Sequence, residues 1–342
     1  ETKFLYRPLG VDVEAQKRKL YSIAFEHLED PVLYRLYREK QQETDLQLTM
    51  LRSLNTHSFT DFSRALYGPV EDSLLSLAKD VLAHCKLDDD ASEIAMADCY
   101  EVAQKSRDMV AAYHDVSPEF SARVEIRDDL PPGLMVTGSK LLVSRHTLME
   151  RRRIDALLSH EIGVHLLTYF NGSSQGLRVF RNGLSGYEGV QEGLAVLAEY
   201  LTGGMTRERL RLIAARVVAC AAMLDGASFT ETFRLMTKTH GLSAAGAFNL
   251  TLRIYRGGGL SKDAIYLRGL AQVVFHLRDG GSLDPFWMGK IAADHFPIMQ
   301  ELAQRGLLRS PNIYPAFLAD VSAKKRLEDI SKGLPISDMA NL

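Results

Sequence analysis

Residues 159–172, SHEIGVHLLTYFNG, set two histidines and a glutamate inside a run of large aliphatic side chains. Leu157, Leu158, Val164, Leu166 and Leu167 make this a buried helix. An ionisable group placed there needs a partner, because burying a charge alone is costly. His160 and His165 are five residues apart. At 3.6 residues per turn that spacing separates two side chains by roughly 140° around a helix axis. They can share one ion only if the turn between them is widened by about one residue, a π-type turn of the kind that concentrates at functional sites. Gly163 lies inside that turn and is the ordinary residue least suited to a helix interior, which points to a built-in distortion. Spacing alone leaves two other readings open. The histidines could be hydrogen-bonded core residues, or Glu161 and His165, four apart and on one face, could be the ligand pair.

A second segment narrows the choice. SGYEGVQEGLAVLAEY, residues 185–200, puts Glu188, Glu192 and Glu199 on one helical face, opposite Val190, Leu194, Val196 and Leu197. A face of glutamates by itself is ordinarily solvated. A two-histidine helix followed by a glutamate on another helix, however, supplies three ligands and leaves one position open, as catalytic zinc requires. The intervening NGSSQGLRVFRNGLSG is rich in glycine, serine and asparagine and can make the reversal.

The rest of the chain reads as mostly helical. Asp30-Pro31 is a cap followed by proline at the first helical position, opening a helix to about Leu54. Asp90 with Glu93, and Ser228 with Glu231, have capping-box spacing, the first opening a helix from Ala91 to about His114. Further helices are expected at 13–28, 72–86, 206–225, 243–256, 262–279 and 321–332. Between 122 and 144 the pattern changes: ARVEIRDD alternates like a half-buried strand, Pro131-Pro132-Gly133 turns the chain, and LMVTGSKLLVS holds two short β-like runs. The expected fold is therefore α+β and predominantly α-helical, with a small β-sheet beside the histidine helix. One compact domain over 1–342 is expected, with a helical part at 1–115, the sheet and metal-site helices at 120–202, and a helical part at 203–342.

Net charge is −2 over 342 residues, with 46% hydrophobic residues, which gives no global attraction to nucleic acid or an anionic membrane. No apolar run approaches the roughly 20 residues of a membrane span. ETKFLYRPLG carries no signal-peptide pattern, and Cys85, Cys99 and Cys220 are too scattered for a disulfide scaffold. A cytoplasmic enzyme with free thiols is expected.

HEIGVH followed by QEGLA resembles the QEGLA-motif family of bacterial proteins, relatives of the microtubule-associated tyrosine carboxypeptidases that remove the C-terminal tyrosine of α-tubulin. The resemblance runs from FLYRPLG near the start to RGGGLSKDAIYLRG at 256–269. It implies a zincin-like metallopeptidase in which His160, His165 and Glu192 hold Zn2+ and Glu161 is the catalytic base. It thereby favours that set over a Glu161–His165 pair. Val164 and Gln191 stand where the eukaryotic enzymes usually have threonine and glutamate; neither is a ligand position. The implied reaction is hydrolysis of the C-terminal bond of a peptide or protein, with tyrosine or another aromatic residue as a candidate released group. A non-catalytic metal-binding regulator, and an endo- or aminopeptidase of the same chemistry, are the alternatives.

A carboxypeptidase must also hold the substrate's terminal carboxylate. RIYRGGGLSKDAIYLRG offers Arg256, Lys262 and Tyr266, which match the family pattern, and three glycines whose amides could form an anion-binding nest. Arg151, Arg152 and Arg153 read as a solvated face, and His146 as a capping or surface residue. His240, His276 and His295 lack partners at ligand spacing.

Overall fold

The computed structural model describes residues 4–85 and 95–340. It forms two compact units, each assembled from two stretches of chain: Glu1–Lys86 with Glu208–Arg268, and Leu87–Arg207 with Gly269–Leu342. Helices dominate and the strands are short.

The first unit is helical. Pro31–Arg52 starts as expected, with the Asp30 carboxylate accepting from the Val32 and Leu33 amides at 2.9 and 3.1 Å. The Ser228–Glu231 capping box is complete: the Ser228 hydroxyl accepts from the Glu231 amide, and the Glu231 carboxylate accepts from the Ser228 amide. Asp72–His84, Arg207–Leu224 and Ala244–Ile254 end within a few residues of their expected limits. The helix expected over 13–28 stops earlier, at Tyr21, where the Ser22 amide closes onto the Arg18 and Lys19 carbonyls.

The second unit holds the sheets. The Asp90–Glu93 box lies outside the described residues, but the helix assigned to it begins later than expected. Met96–Asp98 (β1) instead pairs antiparallel with Leu148–Glu150 (β5). The helix Cys99–Val116 then starts with Asp98 as its cap, accepting from the Tyr100 and Glu101 amides. Three further strands are those anticipated: Arg123–Arg127 (β2), Leu134–Thr137 (β3) and Lys140–Ser144 (β4). Their order is β2-β4-β3, with β4 parallel to β2 and antiparallel to β3. Leu141, Leu142, Val143 and Ser144 of the central strand are all buried, which is why it reads as a continuous apolar run. β3 is left as an edge.

β5 passes through a tight turn at Arg151–Arg153 into one long helical run over 154–174. That run is embedded: Ile154, Leu158, Ile162, Val164, Leu166 and Leu167 are all at most 1% exposed. Its far end is pinned by Asn171, whose side-chain amide donates to the Trp287 and Ile313 carbonyls at 2.8 and 2.7 Å and whose oxygen accepts from the Ile313 amide. The chain reverses through Val179–Asn182 and left-handed Gly183 and Gly186 into the helix Tyr187–Leu201.

That second helix is placed by glycine. A Cβ on Gly193 would sit 2.1 Å from the Gly269 carbonyl carbon, and one on Gly269 would sit 1.8 Å from the Gly189 carbonyl oxygen. The helices Tyr187–Leu201 and Ile265–Arg278 therefore cross backbone against backbone, which only glycine permits. Since Gly193 follows Glu192, the crossing also fixes where Glu192 stands.

Gly193→Ala is expected to cost at least about 2–3 kcal/mol of stability, because a methyl in a backbone contact forces the helices apart. It should weaken metal uptake as well. Gly176→Ala, whose Cβ would meet nothing within 4 Å, should change stability by less than about 0.5 kcal/mol. Denaturant titration of the three proteins reads the difference.

Candidate metal centre and its surroundings

The run over 154–174 changes pitch where the sequence calls for it. Residues Ile154–His160 are α-helical, Glu161–Leu166 form a π-helix, and Leu167–Ser174 return to α-helix. The Leu167 amide reaches back five residues to the Ile162 carbonyl, the signature of the wider turn. With about one extra residue in the turn, five positions make little more than a full circle, and the two imidazoles come to one side. Their ring centroids are 4.9 Å apart and their planes 85° apart.

Gly163 has a second role there that sequence reading did not anticipate. A Cβ at that position would approach the Phe317 ring to 3.2 Å and the Tyr113 hydroxyl to 3.6 Å. The glycine leaves room for Phe317 to press on the back of the π turn, so packing from outside the helix supports the distortion.

Glu192 completes the cluster. His160 Nε2 lies 3.6 Å and His165 Nε2 3.8 Å from Glu192 Oε2. One ligand atom from each of the three lies within 4.8 Å of the others, making this the metal-capable triad among the described residues. A tetrahedral ion with bonds of about 2.0–2.2 Å needs donors roughly 3.3–3.6 Å apart, so only small adjustments would close the triad on an ion. Two imidazole nitrogens and one carboxylate oxygen are also the donor set that suits zinc.

The orientation of His160 comes from Glu199. This carboxylate is fully buried; its Oε1 accepts from His160 Nδ1 at 2.9 Å and its Oε2 accepts from Arg153 Nη2 at 3.3 Å. A proton held on Nδ1 leaves the Nε2 lone pair facing the triad, the carboxylate–histidine arrangement common behind metal ligands. Sequence reading placed Glu199 on the right face but gave it no task. The signal was available: seven residues is nearly two turns, and a glutamate within GLAVLAEY must be buried with a partner. Arg153, expected to be solvated with its neighbours, instead turns inward to Glu199. Arg151 and Arg152 do pair at the surface, with Glu101 and Glu150.

Gln191 explains its own place. It is buried, and its Oε1 lies 3.0 Å from the Thr168 hydroxyl, which is also 2.8 Å from the Val164 carbonyl. A neutral acceptor next to Glu192 thus ties the glutamate helix to the histidine helix.

The same chain carries a family signature over nearly its whole length: the family described as microtubule-associated tyrosine carboxypeptidase matches residues 1–334. The chain belongs to this family. Comparison with individual curated proteins gives no match.

For a member of the microtubule-associated tyrosine carboxypeptidase family, the other expected site residues fall in the first unit. Arg256 is exposed. The Lys262 ammonium lies 5.7 Å from the centre of the Tyr67 ring, and the Arg216 guanidinium lies 5.0 Å over the Tyr266 ring. The expected glycine nest is not available. The Gly257 amide donates to the Tyr6 hydroxyl, Gly258 to the Tyr255 carbonyl, Gly259 to the Arg256 carbonyl and Leu260 to the Ile254 carbonyl. These three glycines have φ of 76°, 122° and 138°, and a Cβ on Gly257 would strike the Phe59 ring at 2.3 Å. They serve a tight, left-handed, close-packed turn. Arg253 is committed as well, with two bonds of 2.5 and 2.9 Å to Asp263. His146 is exposed, and Cys85, Cys99 and Cys220 are buried free thiols, with burial pushing the Cys220 thiol up.

Burial alone pushes the His160 imidazole down. The Glu192 carboxylate 3.6 Å away and the hydrogen bond to Glu199, with the charges of Glu161 and Glu199, outweigh it and hold the metal-free ring up at about 10. A raised folded-state value stabilises the metal-free protein fully below the unfolded value of about 6.5, and the gain fades as pH rises through about 10. Metal uptake at pH 7–8 should therefore expel about one proton from His160, and affinity should climb with pH across this window. Calorimetry in buffers of different ionisation enthalpy reads the proton count; no release would mean a neutral His160.

Glu199→Gln keeps the shape and weakens the hold on the imidazole. It should lower metal affinity by about 10- to 100-fold, measured by competition with a chelator.

Proposed function

We propose that the protein is a zinc-dependent carboxypeptidase of zincin-like type, cleaving the C-terminal peptide bond of a peptide or protein. The observation that carries this reading is the convergence of His160, His165 and Glu192, with Glu161 next to a ligand on the same π turn, in a chain of a carboxypeptidase family. The family description points to tyrosine, or another aromatic residue, as the residue released.

When bound, zinc supplies Lewis acidity, bringing a water toward ionisation near neutral pH and polarising a carbonyl. The chain's own residues do the rest. Glu161 takes the proton of the attacking water and returns it to the leaving amine. Glu199 and Arg153 hold His160 in its tautomer. β3, an edge strand packed against the π turn, can pair with an extended peptide and present its bond. Arg256, Lys262 and Tyr266 are proposed to bind the substrate, with Arg256 the accessible cation. Among the described residues no helix is long and apolar enough to cross a membrane, and the free thiols suit a reducing, cytoplasmic setting.

A purely regulatory metal-binding role would leave no reason for a carboxylate at 161. Glu161→Gln should therefore abolish turnover while keeping one zinc per chain, since the amide keeps the shape and loses the basicity. Elemental analysis and digestion of a peptide library with varied C-termini check both halves. Loss of metal in this variant would make Glu161 a ligand, and retained turnover would remove it as the base.

A further inference from the structure

The accessible face of the metal centre continues past the triad. Across residues 158–172 every position is buried except Glu161, His165, Tyr169 and Phe170. Phe170 packs on Phe120, with 4.6 Å between ring centres. Glu161, His165 and Tyr169 are left, four apart, as one accessible stripe. On the helix Tyr187–Leu201 the residues not buried are Tyr187, Glu188, Gly189 and Glu192. The two helices run antiparallel, since Arg153 meets Glu199, His165 faces Glu192 and Thr168 meets Gln191. Their accessible stripes therefore meet at the triad and extend together in one direction, toward Tyr169 and Glu188.

Arg181 stands at that end, in the same unit. A Cβ on Gly172 would lie 2.5 Å from the Phe180 carbonyl oxygen and 2.8 Å from the Arg181 amide nitrogen, so this glycine lets the Arg181 backbone rest on the histidine helix. From there the half-buried side chain turns back toward His165, and its guanidinium lies 5.8 Å from the centre of the Tyr169 ring. Its Nε donates to the Asn182 side-chain oxygen at 3.4 Å, and among the described residues no carboxylate pairs with it. A planar guanidinium fits a carboxylate through two parallel bonds, and the ring beneath fixes the plane of the fork.

β3 ends at the same place. A Cβ on Gly138, in the turn from β3 to β4, would lie 3.9 Å from the Tyr169 hydroxyl. β3 runs from Leu134 to Thr137, toward that turn. Antiparallel pairing is the more stable ladder, so an extended peptide on this edge runs its N-terminal side toward Tyr169 and Arg181. One helical turn, about 6 Å, separates His165 from Tyr169, close to the span of two extended residues.

We propose that Arg181, over Tyr169, binds an acidic side chain of the substrate about two residues on the N-terminal side of the cleaved bond, and so selects acidic C-terminal sequences. This rests on the carboxypeptidase reading for which bond is cleaved, though not for the existence of the anion subsite. Arg181 lies in NGSSQGLRVFRNGLSG, a stretch whose composition marks only a reversal between the two motifs.

The test separates binding from turnover. Zinc-loaded full-length Glu161→Gln protein is titrated by fluorescence anisotropy with three labelled peptides ending in tyrosine. The first carries glutamate two residues before the terminal bond, the second carries glutamine there, and the third is the glutamine peptide with an amidated C-terminus. The glutamate peptide should bind roughly 10- to 100-fold tighter than the glutamine peptide, the range for charge-assisted hydrogen bonds. Adding Arg181→Gln should bring that ratio near one, while the ratio of free acid to amide keeps its value. Arg181→Lys keeps the charge without the fork and should keep a several-fold preference, which guards against a misfolded glutamine variant. Arg178→Gln, at an exposed position on the same segment, should leave the ratio unchanged. Absence of a glutamate preference, its survival in Arg181→Gln, or an equal fall in Arg178→Gln overturns the proposal. Collapse of the acid-to-amide ratio in Arg181→Gln would give Arg181 to the terminal carboxylate and overturn the acidic-side-chain assignment. Hydrolysis is scored separately with Glu161 intact. Its absence, with an Arg181-dependent glutamate preference, would sink the carboxypeptidase reading and leave the anion subsite standing.

Discussion

At its ordinary pitch a helix would point His160 and His165 away from each other, and the candidate site depends on the turn that overcomes this. A π turn is poorly stabilised locally, so it persists where the surroundings impose it. Here the apolar side chains of the helix are buried, Phe317 presses into the space left by Gly163, and the Asn171 amide pins the segment beyond it. The widened turn belongs to the second unit as a whole rather than to the six residues that form it.

The third ligand position is set by backbone contact. Gly193 and Gly269 let two helices touch where any side chain would hold them apart, and Glu192 is adjacent to that contact. Gln191 and Thr168 bridge the same two segments from the other side of Glu192. Neighbours on one helix thus divide the work: one residue carries charge to the site, the next lets the helix come close, and the one before ties it down. Behind them Glu199 and Arg153 keep His160 in one tautomer. Glu161, Glu192 and Glu199 bring negative charge to the site, which suits a dication.

The glycine-rich turn at 257–259 shows how a motif can mislead about mechanism. Its composition suggests amides held open for an anion, yet each is already bonded within the chain, and positive φ with close packing accounts for all three glycines. Glycine content alone therefore does not mark an anion site.

The sequence by itself determined the helical character of the chain, most helix starts and the three strands β2, β3 and β4. These follow from local rules: caps, periodicity and turn residues act over a few positions and are written in adjacent letters. Ligand spacing left more than one ligand set open, and the family resemblance of the two motifs favoured His160, His165 and Glu192. The sequence also required a widened turn, because no regular helix satisfies a five-residue histidine pair. Only tertiary structure decided the rest. The pairing of β1 with β5 delayed a helix start, since 50 residues of chain separate those strands. Gly163 faces Phe317 across more than 150 positions, and Gly193 meets Gly269 across 76. Arg153 turned inward to Glu199 for the same reason. Whether a charged side chain is paired depends on what the folded chain brings to it, and neighbouring letters do not carry that information.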